Sequence, residues 1–276
     1  VLIKQLDDKS YHQFRMFLEQ QCGIVLGESK QYLVKSRLVP LMAKFDITSL
    51  SELVAQTLNP VKRQLRAAVI DAMTTNETLW FRDCYPFELL KKDLLPGFMN
   101  QRAPLKIWSA ASSSGQEPYS IAMVIYEFQQ SNPGAFPGGV QIIGTDISTT
   151  MLDHCKHAHY DSLALSRGLS LERQRQFFEN SGNGMLKVKD MIKKMVSFRQ
   201  LNLLNSYSLL GQFDLIFCRN VLIYFAPELK SKIISQIHTT LKKDCFLFLG
   251  ASESLSGINQ NFNMIRCNPG IIYQKK

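Results

Sequence analysis

Lys106 to Phe128 read KIWSAASSSGQEPYSIAMVIYEF, and the architecture turns on how this stretch folds. A short apolar run (Ile107, Trp108) meets a turn of very small residues, Ala110 to Gly115. A helical pattern then starts near Pro118 and carries Ile121, Ala122, Val124, Ile125 and Phe128. Strand, tight small-residue turn and helix form the nucleotide-cradling unit of doubly wound α/β folds. There the backbone must come close to a ligand and Cβ atoms obstruct it. Further on, a second strand pattern runs from Val140 to Thr145 and ends at Asp146. A carboxylate at the tip of the second strand is where such folds hold ribose hydroxyls. The two features together point to a nucleoside-containing cofactor.

The turn carries one glycine, Gly115, and matches neither the G-x-G-x-x-G spacing of dinucleotide enzymes nor the G-x-x-x-x-G-K-[ST] pattern of NTPases. A pyrophosphate guest, and with it a dehydrogenase, is therefore disfavoured. Glu117 opens the helix, where the dipole favours a carboxylate that would repel phosphate. An acidic group at that point suits a ligand with cationic and hydroxyl groups, a description that S-adenosylmethionine fits. A plain first-turn helix carboxylate explains Glu117 equally well.

At 276 residues, the chain has room for one large α/β domain and a smaller companion. Its 45% hydrophobic and 20% charged content is that of a soluble globular protein. No apolar run reaches the ~18 residues that span a bilayer, so membrane insertion is not expected. No charged-then-apolar leader opens the chain, and its start at Val1 is expected to be a trimmed end. Six scattered cysteines without a C-x-x-C pair read as reduced thiols of a cytosolic protein. The net charge of +9 favours acidic partners without choosing among nucleic acid, protein and anionic lipid.

Residues 1–74 show only helical periodicity, in stripes through Phe14–Leu18, Leu33–Leu41, Leu50–Leu58 and Leu65–Ala72, with Ser49 and Asn59-Pro60 as helix starts. They are expected to form a small all-α domain. Residues 75–276 alternate strands and helices, which argues for a mostly parallel, doubly wound α/β sheet. Further strands are expected at Phe213–Cys218 and Cys245–Leu249, with a helix from Pro227 to Leu241 between them and a terminal hairpin from Phe262 to Gln274. Met185–Lys189 and Met195–Phe198, after the turn Ser181–Gly184, read as a small inserted antiparallel β-subdomain at about residues 160–200. Lys30, Arg37 and Lys44 recur every seven residues on the second helix, as a grip for an acidic helix or as a solvated face. Pro40 is expected to kink or end that helix. His154, His157 and His159 with Cys155 have spacings that could hold zinc. The segment reads instead as a helix end in solvent, and no metal is expected.

Between the domains stands Asn76-Glu77-Thr78-Leu79-Trp80-Phe81-Arg82-Asp83, and the later strand end reads FDLIFCRNVLIYF from Phe213 to Phe225. With SAASSSGQEPYSIA and Leu201-Asn202-Leu203, these segments closely resemble the chemotaxis receptor methyltransferases of the CheR family, over nearly the whole chain. The resemblance implies a sheet that binds S-adenosylmethionine and releases S-adenosylhomocysteine. It also implies methyl transfer to glutamates on the acidic cytoplasmic helices of chemoreceptors. It places Asn76, Thr78, Arg82, Glu117, Asp146, Asn202, Leu203, Arg219 and Asn220 around the cofactor, with Arg82 and Tyr224 near the transferred methyl. Because an acceptor glutamate, with an ordinary pKa of ~4.3, is already anionic at neutral pH, no catalytic base is called for.

The chain departs from the family pattern at Ala111-Ser112, at Ala251 where the family usually has histidine, and in the short turn Ser181–Gly184. The short turn favours an enzyme that works without a tethering peptide. A nucleic-acid methyltransferase is the weaker alternative, because Arg219-Asn220-Val221-Leu222 stands where those acting on exocyclic amines carry Asn/Asp-Pro-Pro-aromatic. Retention of Arg82 and Tyr224 also speaks against a non-catalytic binding module. A cytoplasmic monomer without a nucleic-acid partner is expected.

Overall fold

The computed structural model describes residues 6–276. They fall into two units, one holding the residues up to Thr75 together with Tyr224–Leu229, the other holding Asn76–Ile223 and Lys230–Lys276. Among the described residues no helix is long and apolar enough to cross a membrane.

The first unit is built from α1 (Asp8–Cys22), α2 (Gln31–Lys44), α3 (Leu50–Leu58) and α4 (Arg63–Met73). Asp7 and Ser49 cap α1 and α3 by accepting the N–H groups of Ser10 and Glu52, which satisfies donors a helix start leaves orphaned. Phe14, Leu18, Val34, Leu38, Leu53, Val54, Leu65 and Val69 are buried and form its core.

Two local expectations are corrected. Pro40 does not end α2, which runs through it to Lys44. Pro40 and Ser36, the residue whose carbonyl loses its helical partner, both lie on the exposed face, where solvent can take the missing bond. Asn59-Pro60 does not start α4: Asn59 ends α3 and its side chain accepts the Val61 N–H at 3.0 Å, a turn that delays α4 to Arg63. Arg37 also has a structural task. Its guanidinium donates to the carbonyls of Met73 (2.6 Å) and Thr74 (3.1 Å) and to Thr75 Oγ1 (3.0 Å). It thereby satisfies the orphan carbonyls at the end of α4, while Lys30 and Lys44 are exposed.

The second unit contains β1 (Leu105–Ala110), β2 (Val140–Asp146), β3 (His159–Tyr160), β4 (Phe178–Asn180), β5 (Leu186–Val188), β6 (Val196–Gln200), β7 (Phe213–Cys218), β8 (Leu241–Phe248), β9 (Phe262–Arg266) and β10 (Ile271–Lys275). Its helices are α5 (Tyr85–Leu89), α6 (Leu95–Phe98), α7 (Gln116–Ser131), α8 (Thr149–His157), α9 (Ser162–Ser166), α10 (Leu171–Phe177), α11 (Asp190–Lys193) and α12 (Pro227–Thr240), with a π-turn at Leu90–Leu94 joining α5 to α6. The main sheet has the order β6-β2-β1-β7-β8-β10-β9, parallel from β6 to β8 and antiparallel at β10 and β9. Strand order reverses at β1, and in open α/β sheets ligands bind in the crevice at such a switch point.

All six residues of β7 are buried, as a central parallel strand covered on both faces requires. Trp108 of β1 is fully buried between Tyr207 and Phe213 and donates its indole N–H to Thr145 Oγ1 at 2.9 Å. The small antiparallel sheet has the order β3-β5-β4. Here the expectation is corrected in part. Val196–Gln200 pairs in parallel with β2 and forms the edge of the main sheet instead of joining the appendage. An edge strand covered on one face carries the same alternation as an antiparallel strand, so the pattern could not separate the two.

The Glu127 carboxylate of α7 joins Lys91 Nζ (2.8 Å) to Arg173 Nε (2.7 Å) of α10, and the Arg173 guanidinium lies 3.9 Å from the Phe81 ring centre. Burial raises the Glu127 pKa, but the hydrogen bonds from Arg173 and Lys91 outweigh it and hold the group below its ordinary value. Its contribution is thus complete above the ordinary pKa of ~4.3 and lost as pH falls through the lower folded value. Glu127→Ala should cost about 1–3 kcal/mol at neutral pH, and the difference from the parent chain in thermal melts should shrink on acidification. A pH-independent difference would count against this role.

Candidate functional site

Because β1 and β7 are neighbours in register, with Ser109 opposite Phe217 and Ala110 opposite Cys218, the chain leaves both strands side by side. Arg219, the first residue beyond β7, has a side chain only 1% exposed. Its Nη1 donates to Glu117 Oε2 at 3.0 Å, and its Nη2 donates to Asp83 Oδ2 at 2.6 Å and to the Arg82 carbonyl at 2.8 Å. Ser109 Oγ donates to the other Glu117 oxygen at 2.8 Å. A buried cation is tolerated only when paired and hydrogen-bonded, and here both terminal nitrogens of one guanidinium find acceptors in two other segments, while its Nε is buried with no hydrogen-bond partner among the described residues. The guanidinium joins the end of β7, the first turn of α7 and the Phe81–Asp83 segment. Phe81, Asp83 and Cys84 all have left-handed φ angles, of 48°, 66° and 52°.

The turn after β1 is equally tight, with Ala111, Ser113 and Gly115 at φ of 57°, 50° and 95°. At Gly115 a Cβ would stand 3.1 Å from both Cys155 Sγ and Tyr160 Oη. Asp146, at the tip of β2, accepts the Ser113 N–H at 2.8 Å on one oxygen and the Ser148 N–H at 3.0 Å on the other. Ser113 Oγ donates to the Asn76 carbonyl at 2.8 Å, and Tyr160 Oη to the Ser114 carbonyl at 2.7 Å. Cys155 Sγ lies 3.1 Å from the Ser113 carbonyl. Burial, and then the Asp146 charge, push its thiol pKa well up, so it stays protonated and backs the turn.

Glu117, Arg219 and the Arg82 carbonyl therefore meet in one hydrogen-bonded cluster, and Asp146 and the Asn76 carbonyl meet in another, on Ser113. Asn202 and Leu203 follow Leu201, whose N–H donates to the Asp146 carbonyl at 2.9 Å. Thr78 lies half-buried in the same segment as Arg82. Tyr224 belongs to the helical unit, where its carbonyl accepts the Val25 N–H at 3.3 Å. Sequence reasoning missed Ser109, Asp83 and Ser113. It also missed Glu253, whose carboxylate accepts the N–H groups of Asn220 (2.7 Å), Leu222 (2.8 Å) and Gly250 (2.7 Å). Its one available signal was an acidic residue three positions after a glycine at the end of a parallel strand.

These residues fit S-adenosylmethionine. The turn presents backbone with small side chains at the switch point. A carboxylate oxygen accepts more than one hydrogen bond, so the backbone contacts that aim Asp146 are compatible with ribose hydroxyls.

Comparison with known proteins agrees with this geometry. Residues 76–271 match the family model described as "CheR methyltransferase, SAM binding domain", and residues 9–74 match "CheR methyltransferase, all-alpha domain". The chain is 59% identical over 271 residues to a chemotaxis protein methyltransferase of Vibrio anguillarum, covering 98% of each. It is 55% identical over 268 residues to the chemotaxis protein methyltransferase Cher2 of Pseudomonas putida, covering 96% of this chain and 98% of that one.

Arg219→Lys keeps the charge but loses the fork, so it leaves at least one of the three acceptors unpaired. We expect it to lower stability by about 1–3 kcal/mol and to weaken S-adenosylhomocysteine binding, both read by calorimetry. Parental values for both would remove the guanidinium from its organising role.

Proposed function

Because the chain belongs to the CheR methyltransferase family, we propose that it methylates glutamate side chains on the acidic cytoplasmic helices of chemoreceptors, using S-adenosylmethionine. The observation that carries this reading is the meeting of three motif segments on one buried guanidinium, that of Arg219. The residues proposed to hold the cofactor are Asn76, Thr78, Arg82, Glu117, Asp146, Asn202, Leu203, Arg219 and Asn220. When bound, the cofactor supplies a methyl group on a cationic sulfonium. The Arg219 side chain, spent on Glu117, Asp83 and the Arg82 carbonyl, serves by aiming Glu117. Asp146, at the tip of β2, would accept the ribose hydroxyls.

The acceptor carboxylate, with an ordinary pKa of ~4.3, arrives as an anion, so this chain need not supply a base. Its work is alignment, which in well-oriented reactions is worth ~7–11 kcal/mol. Arg82 commits Nη1 to the Glu77 carbonyl at 3.2 Å. A guanidinium has five N–H donors, so others remain to orient an incoming carboxylate. The Tyr224 hydroxyl is proposed to steady the donor or the acceptor. Lys30 and Lys44, exposed at the two ends of α2, are proposed to meet the acidic receptor helix. Arg37, occupied by the end of α4, has the smaller share. The short turn between β4 and β5 favours transfer without a tethering peptide.

Incubation with methyl-labelled donor and receptor cytoplasmic fragments should place label in base-labile esters, and Arg82→Ala should lower kcat/KM by about 100-fold. Label appearing only in nucleic acid, or an unchanged Arg82→Ala enzyme, would sink the reading. Receptor affinity should also fall with added salt, because exposed charges are screened over ~8–10 Å.

A further inference from the structure

Beyond Phe248, the last residue of β8, the chain runs Leu249-Gly250-Ala251-Ser252 to Glu253. Glu253 Oε2 accepts the N–H groups of Asn220 and Gly250, each at 2.7 Å, and Oε1 accepts that of Leu222 at 2.8 Å. One carboxylate therefore ties together the C-terminal ends of the neighbouring strands β7 and β8. Asn220 has a φ of 57°, a left-handed conformation that side chains with a Cβ adopt only when held there. At Gly250 a Cβ would stand 2.6 Å from Asn220 Nδ2 and 2.8 Å from Glu253 Oε2, so only glycine lets the two side chains close over that point. Asn220 follows Arg219 directly, and its strained backbone begins the turn that leads to Tyr224.

We propose that Glu253 is a positioning residue for methyl transfer, holding Asn220 in the conformation from which it meets the cofactor. The proposal rests on the placement of Asn220 in the cofactor site. Both Glu253 oxygens face backbone donors, so its part is geometric, and it exchanges no proton with the reactants. Acceptors for three N–H groups cannot be replaced by an amide of the same size. With its oxygen at the Oε2 position, glutamine keeps Asn220 and Gly250 but turns an NH2 against the Leu222 N–H.

The test uses the full chain with Glu253→Gln and Glu253→Ala, following S-adenosylhomocysteine affinity by calorimetry, kcat and KM for the methyl donor, and thermal midpoint. We expect Glu253→Ala to weaken binding and raise the donor KM by about tenfold, the scale of leaving buried donors unpaired. The Gln variant should show a smaller loss in the same direction. A merely structural role would lower the midpoint and leave the folded population with parental affinity, which would overturn the proposal. So would affinities within about twofold of the parent in both variants, or failure of both to fold. Asn220→Ala, measured alongside, separates the two levels. If it weakens binding while both Glu253 variants do not, the Glu253 proposal alone falls. If Asn220→Ala is silent, the placement of Asn220 falls and takes Glu253 with it.

Discussion

The site depends on a positive charge placed where water cannot reach it. Arg219 leaves β7 beneath the switch point with its side chain 1% exposed. A guanidinium there must find anions or carbonyls within reach or not be buried at all. Glu117, Asp83 and the Arg82 carbonyl supply them. Since they come from α7 and from the segment before α5, satisfying one cation sets where both segments lie. The planar fork matters because a lysine ammonium could not address the same acceptors in a fixed plane.

Acidic groups extend the same logic to the loops. Asp146 anchors the turn after β1 through the Ser113 N–H, and Glu253 anchors the turn after β7 through Asn220 and Leu222. Each turn contains non-glycine residues at positive φ, among them Ala111, Ser113 and Asn220. Such conformations persist only when surrounding bonds over-determine them. The carboxylates do this at strand tips, where the backbone has left its ladder partners and its N–H groups need acceptors. The backbone of these turns is thus shaped by side chains whose own charges are already occupied.

The elements of the fold were legible where local periodicity suffices. The span of β7 and the end of β2 at Asp146 could be read from apolar runs, and the cap at Ser49 from residue type. Reading stopped where two structures share one pattern. Val196–Gln200 alternates like an appendage strand yet completes the main sheet. Asn59-Pro60 looks like a helix start yet closes the turn before α4. Arg37 sits in a basic stripe yet spends its donors on Met73, Thr74 and Thr75.

The sequence by itself determined a helical segment, an alternating α/β region, a small-residue turn and an acidic strand tip, since each is written in neighbouring residues. Its motifs also named most of the polar groups that meet. Only the tertiary structure decided what those groups do. Arg219 finds Glu117 across 102 positions and Asp83 across 136, and Glu253 reaches back 33 to Asn220. Partnerships over such separations are set by which strands lie side by side and which charge is denied water, and no local pattern records either.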